Sequence, residues 1–141
     1  MRSRQVVSAL AGGLVLAGIL VTDALAQRDE WVELGCKLVS FRVDRDVIRV
    51  GRREGRYTAI RVYASGGAVE MLDLKVIYAN GDPDDIRVRH VLENGVRTRP
   101  LDLRGRARSI DRNELLYRAL PNRRDREPEV CVEGAVADRD R

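Results

Sequence analysis

Met71-Leu72-Asp73-Leu74-Lys75-Val76-Ile77-Tyr78 alternates with a period of two and runs on into Asn80-Gly81-Asp82-Pro83. In an extended chain Leu72, Leu74, Val76 and Tyr78 point one way and Met71, Asp73, Lys75 and Ile77 the other. The stretch therefore reads as a strand with one buried side and one partly exposed side. The Asn-Gly and Asp-Pro pairs then end it in a turn. The same period recurs upstream, where Ile60, Val62 and Ala64 alternate with Arg61 and Tyr63. It recurs downstream over 85–92, where Ile86, Val88, His90 and Leu92 oppose Arg87, Arg89 and Val91. Further extended segments are 31–43, 46–50, 101–104, 107–119 with a break near Arg112-Asn113, and 129–135. Only 112–120 suits a short helix, and its Leu115, Leu116 and Tyr117 fit a strand almost as well. Ser65-Gly66-Gly67, Glu93-Asn94-Gly95 and Pro121-Asn122 supply turns between these segments. Seven to eight short strands with such punctuation predict an all-β fold, an antiparallel β-sandwich or jelly-roll-like domain, with an open barrel as the nearest alternative.

The whole chain has 141 residues, 44% apolar and 34% charged, with a net charge of +4. Residues 1–26 skew those figures. Arg2 and Arg4 precede an almost wholly apolar run from Val6 to Val21, and Ala24-Leu25-Ala26 follows, which is the pattern of a cleaved signal peptide ending before Gln27. At 1.5 Å per residue the run is short of a ~30 Å hydrocarbon core. No later apolar run approaches that length, so the mature protein has no transmembrane segment, and Gln27 offers no thiol for a lipid anchor. The organisation expected is a signal peptide at 1–26, a single β domain at 27–136 and a disordered tail at 137–141, in an exported protein that is periplasmic or secreted.

Export changes how the two cysteines read. Cys36 and Cys131 are an even pair in an oxidising compartment, which permits a disulfide that brings the first and last strands together. Two buried free thiols are the rival reading. Neither residue has the spacing of a redox motif or a zinc knuckle.

Three polar features are candidate sites. Asp82, Asp84 and Asp85 lie close enough in sequence, with Pro83 between them, to offer hard oxygen ligands to calcium, although no Glu closes a 12-residue loop. A plain turn with Asp side chains on free backbone N–H groups accounts for the same residues. Arginine supplies nearly all positive charge, since Lys37 and Lys75 are the only lysines. Arg97, Arg99, Arg104, Arg106 and Arg108 could form a guanidinium face, with Arg104, Arg106 and Arg108 aligned if that strand is continuous through Gly105. Such a face suits an anionic envelope glycan, a lipid headgroup or a partner protein; solvated ion pairing is the bland alternative. Interspersed acids, few aromatics and export exclude nucleic acid. Trp31, Phe41, Tyr57, Tyr63, Tyr78 and Tyr117 sit at strand parity and read as sandwich packing rather than a sugar platform.

Enzymatic signatures are sparse. His90, the one histidine, shares parity with Val88 and Leu92 and reads as a core or boundary residue, and no G-x-S-x-G elbow is present. Glu70, Asp73 and Asp102 are candidates for a carboxylate pair only by elimination.

The order Val76-Ile77-Tyr78-Ala79-Asn80-Gly81-Asp82-Pro83-Asp84-Asp85-Ile86-Arg87-Val88-Arg89 and the later Thr98-Arg99-Pro100-Leu101-Asp102-Leu103-Arg104-Gly105 resemble a family of small exported bacterial proteins, domain of unknown function 2541. Arg108-Ser109-Ile110 and Leu116-Tyr117-Arg118 continue the resemblance, which covers roughly 31–135. It implies a secreted or periplasmic β domain and carries over no catalytic residues. Other members favour Ile where this chain has Pro100, a residue suited to a bend or a sheet edge. The expectation is thus a non-enzymatic binding or structural module of the cell envelope, without a cofactor unless calcium. A carboxylate-dependent hydrolase acting on envelope carbohydrate is the alternative.

Overall fold

The computed structural model describes residues 12–13, 29–88 and 90–138. Apart from residues 12 and 13, the leader expected at 1–26 lies outside the described residues, as do positions 139–141 of the expected tail. Nine strands follow in order: β1 Trp31–Leu38, β2 Asp44–Arg49, β3 Tyr57–Ser65, β4 Val69–Tyr78, β5 Pro83–Asp85, β6 His90–Leu92, β7 Leu101–Asp102, β8 Ile110–Ala119 and β9 Glu129–Val136. All pairings between them are antiparallel. One sheet has the order β1-β9-β3-β7, and the other β2-β8-β4-β5 with β6 also on β4.

The two sheets form a sandwich because each presents one apolar side. Ile60, Val62 and Ala64 on β3 join Val130 and Val132 on β9, and Leu74, Val76 and Tyr78 on β4 join Leu115 and Tyr117 on β8, all essentially buried in one cluster. Each such aliphatic side chain withdrawn from water is worth about 1.5–3 kcal/mol. Alternation holds along β3 as the sequence predicts, but on β4 it slips. Met71 pairs with Tyr117 and Asp73 with Leu116, so Leu72 is an extra residue in a bulge. Val69 and Met71 are therefore buried before the bulge and Leu74 after it, while Leu72, expected inside, is 45% exposed.

Two other expectations change. The segment 85–92 is not one strand: β5 pairs with Lys75–Ile77 and β6 with Val69–Met71, at opposite ends of β4. Conversely β8 is continuous through Arg112-Asn113, with Asp111 as the bulged residue instead of a break.

One side of the sandwich is tightly closed. Edge strands β1 and β2 approach so closely that a Cβ on Gly35 would meet Ile48 Cγ2 at 2.6 Å. On the neighbouring strand, a Cβ on Gly134 would strike the buried Tyr57 ring at 2.7 Å. Cys36 and Cys131 pair across β1 and β9 and are joined in a disulfide, as the sequence predicts.

Candidate functional site

The opposite side is built differently. Strands β5, β6 and β7 have three, three and two residues, and the chain crosses here from one sheet to the other. After β6 the Gly95 N–H donates to the Ala64 carbonyl (2.7 Å) and the Thr98 N–H to the Val62 carbonyl (2.9 Å), fixing the crossing segment against β3. The Thr98 hydroxyl accepts from the Val62 N–H at 3.0 Å. Pro100 immediately precedes edge strand β7, where a missing N–H is tolerated.

Between the 87–93 and 96–101 segments lies an open cleft of about 500 Å³. Leu92 and Leu101, nearly buried, lie at its base, and Val88, Val91 and Val96 add apolar wall. Among the described residues, its charged side chains are Arg87, Arg97 and Arg99 against the single carboxylate of Glu93. A shallower groove of about 350 Å³ continues along the same edge to Asp84, Asp102 and Arg104, sharing Arg87, Arg99 and Leu101 with the first.

The three cleft arginines are not equivalent. Arg97 is fixed: its guanidinium bonds Glu133 (Nη2 to Oε1, 3.0 Å) and lies 4.5 Å from the centroid of the Tyr63 ring. Glu133 also accepts from Arg61 Nε, and Arg61 in turn stacks on Trp31 at 4.1 Å. Burial alone raises the Glu133 carboxyl, but hydrogen bonds from Arg97 and Arg61 and their charges hold it below the usual carboxylate range. One buried, ionised carboxylate thus anchors two ring-stacked guanidinia on the outer face of the first sheet. Arg87 and Arg99, by contrast, are exposed, and among the described residues neither has a carboxylate within 4.0 Å.

Of the arginines singled out from sequence, Arg97 and Arg99 meet in the cleft and Arg104 borders the adjoining groove. Arg104, Arg106 and Arg108 do not share a strand face, because β7 ends at Asp102 and 103–109 is irregular. Arg104 is paired with Asp84 (3.3 Å), Arg106 is exposed, and Arg108 lies 3.9 Å over the Tyr78 ring. The Tyr78 hydroxyl donates to Asp84 at 2.5 Å and accepts from the Arg104 backbone N–H at 3.1 Å. Burial and that bond to Asp84 push the phenol up to about 12.

The three aspartates face different partners. Asp84 is buried against Tyr78 and Arg104; Asp82 takes the Asn80 side-chain amide at 2.9 Å and lies near Arg108; Asp85 is exposed beside Lys75. The Gly81 N–H donates to the Tyr78 carbonyl (2.8 Å) with Gly81 at φ +91°, which closes the turn. Among the described residues, three metal-ligating groups converge only at Glu33, Cys36 and Cys131, and there the two sulfurs are already bonded to each other.

His90 is exposed at the cleft wall rather than in the core or at its boundary, because the single strand expected there is broken. Glu70 is held by Arg118 at 2.6 Å and Asp73 is exposed, both on β4, while Asp102 stands on β7 in the other sheet. Tyr57, Tyr78 and Tyr117 pack the core, Tyr78 with Arg108 over its ring, whereas Trp31 and Tyr63 stack on guanidinia outside it. Arg87, Arg61 and Glu133 were not singled out from sequence. The available signal was Glu133 itself, set between the apolar Val130-Cys131-Val132 and the small Gly134-Ala135, since a carboxylate in so apolar a stretch needs a cation.

Among the described residues, then, the protein is an all-β sandwich with an arginine-rimmed edge cleft and without a clear catalytic constellation or metal cage. Residues 13–134 match the family model Domain of unknown function (DUF2541), and the chain belongs to that family. No curated protein and no solved structure matches the chain. The sequence stretches that carried the resemblance meet in space: Tyr78 and Asp84 from the first bond Arg104 from the second, beside the cleft.

Proposed function

We propose that the protein is an exported, non-enzymatic binding module of the cell envelope whose edge cleft takes an anionic ligand. The observation that carries this reading is the pair Arg87 and Arg99, two exposed guanidinia without close carboxylates among the described residues, beside a third that Glu133 holds in place. Guanidinium forks match carboxylate or phosphate oxygens two at a time. The leader pattern at 1–26 and the long-range Cys36–Cys131 bridge support export, since such bridges persist in oxidising compartments.

The test is co-sedimentation of the purified protein with phosphatidylglycerol vesicles and retention on an anionic polysaccharide resin, each across a salt series. Binding to at least one that weakens with salt and is lost in Arg87→Ala/Arg99→Ala is expected. Unchanged binding by that double variant contradicts the cleft assignment.

A further inference from the structure

The cleft carries more than charge. Five large apolar side chains are notably exposed among the described residues, and two of them, Val91 (47%) and Val96 (54%), line this one cleft. The others, Leu38, Val43 and Leu72, lie outside it, near the β1–β2 connection and at the β4 bulge. With Leu92 and Leu101 at the base, the two valines make an aliphatic surface that stands in water next to Arg87 and Arg99. A fully charged ligand leaves that surface wet, and an uncharged hydrocarbon leaves the guanidinia without an anion. The complementary ligand has both parts. A volume of about 500 Å³ is that of one small-molecule site.

We infer that the cleft binds a single-chain anionic amphiphile, with its hydrocarbon against Val91 and Val96 and its carboxylate or phosphate on Arg87 and Arg99. This rests on the anion-binding reading of the same cleft and names the ligand class within it. Arg97, held by Glu133, sets the position of the charged rim and is not the group that opens to the ligand.

The test is calorimetric titration of the full protein with decyl phosphate, butyl phosphate and decanol below their aggregation concentrations, alongside phosphatidylglycerol vesicles. Decyl phosphate should bind one to one and at least about tenfold tighter than butyl phosphate or decanol, because each buried methylene adds to affinity. Val96→Ser, at an exposed position, should narrow the gap between decyl and butyl phosphate without shifting the melting temperature. Equal affinity for decyl and butyl phosphate overturns the amphiphile and leaves the anion cleft standing. Equal affinity for decanol and decyl phosphate overturns the anion reading beneath it. Binding to vesicles alone overturns the single-chain occupant, and binding of no probe overturns the amphiphile, the anion reading then falling as well if the polysaccharide resin does not retain the protein.

Discussion

The two open edges of this sandwich are closed by opposite means. At the β1–β2 edge the strands are six to eight residues long, a glycine lets the sheets approach, and a disulfide ties the first strand to the last. At the β5–β7 edge no strand exceeds three residues, the chain crosses between sheets, and guanidinia occupy the rim. Regular pairing satisfies backbone groups and buries apolar area, whereas irregular backbone at a rim frees side chains to face solvent. The first edge is therefore where stability resides, and the second is where a ligand can be met at little structural cost.

That contrast can be attacked first at the disulfide. Replacing both Cys36 and Cys131 by Ser releases a 95-residue loop and should cost about 4 kcal/mol in urea denaturation. A loss under about 1 kcal/mol would show that close packing alone holds the edge. Next is Gly134→Ala, which puts a methyl into the Tyr57 ring and should cost about 2–3 kcal/mol by overpacking, read as a lower denaturation midpoint. Third is Glu133→Gln, which leaves Arg61 and Arg97 without their counter-charge and should cost about 2 kcal/mol near neutrality. Because the Glu133 carboxyl is depressed in the fold, its contribution is complete above the ordinary value of 4.5 and is lost as pH falls through the lower folded value. The wild type and Glu133→Gln should thus converge in stability only in acid; a constant gap would place the effect elsewhere. Smallest is Arg87→Ala/Arg99→Ala, which should move stability by no more than about 0.5 kcal/mol, and a larger loss would show the cleft rim to be structural.

How far each edge could be read from the sequence follows the same division. Period-two alternation in Ile60, Val62 and Ala64 is a local property, and the turn at Asn80-Gly81 is written in its own residues, so both were legible. The Cys36–Cys131 bridge followed from an even cysteine count and the export expected from the leader pattern. The bulge at Leu72 was not legible, because it is set by how β4 registers on β8, more than forty positions away. For the same reason Arg104, Arg106 and Arg108 looked like a strand face: nothing local says that β7 stops at Asp102 once the chain turns across the sandwich. Two of the three cleft arginines, Arg97 and Arg99, were visible as a cluster in sequence. Arg87 was not, since it arrives from a different strand connection.

The most direct test of the division between edges is amide chemical-shift mapping of the ¹⁵N-labelled protein titrated with decyl phosphate. Saturable shifts concentrated at residues 87–101, with the β1 and β2 amides unmoved, are the predicted result. Shifts centred on 31–49, or spread evenly over the exposed arginines, would contradict it.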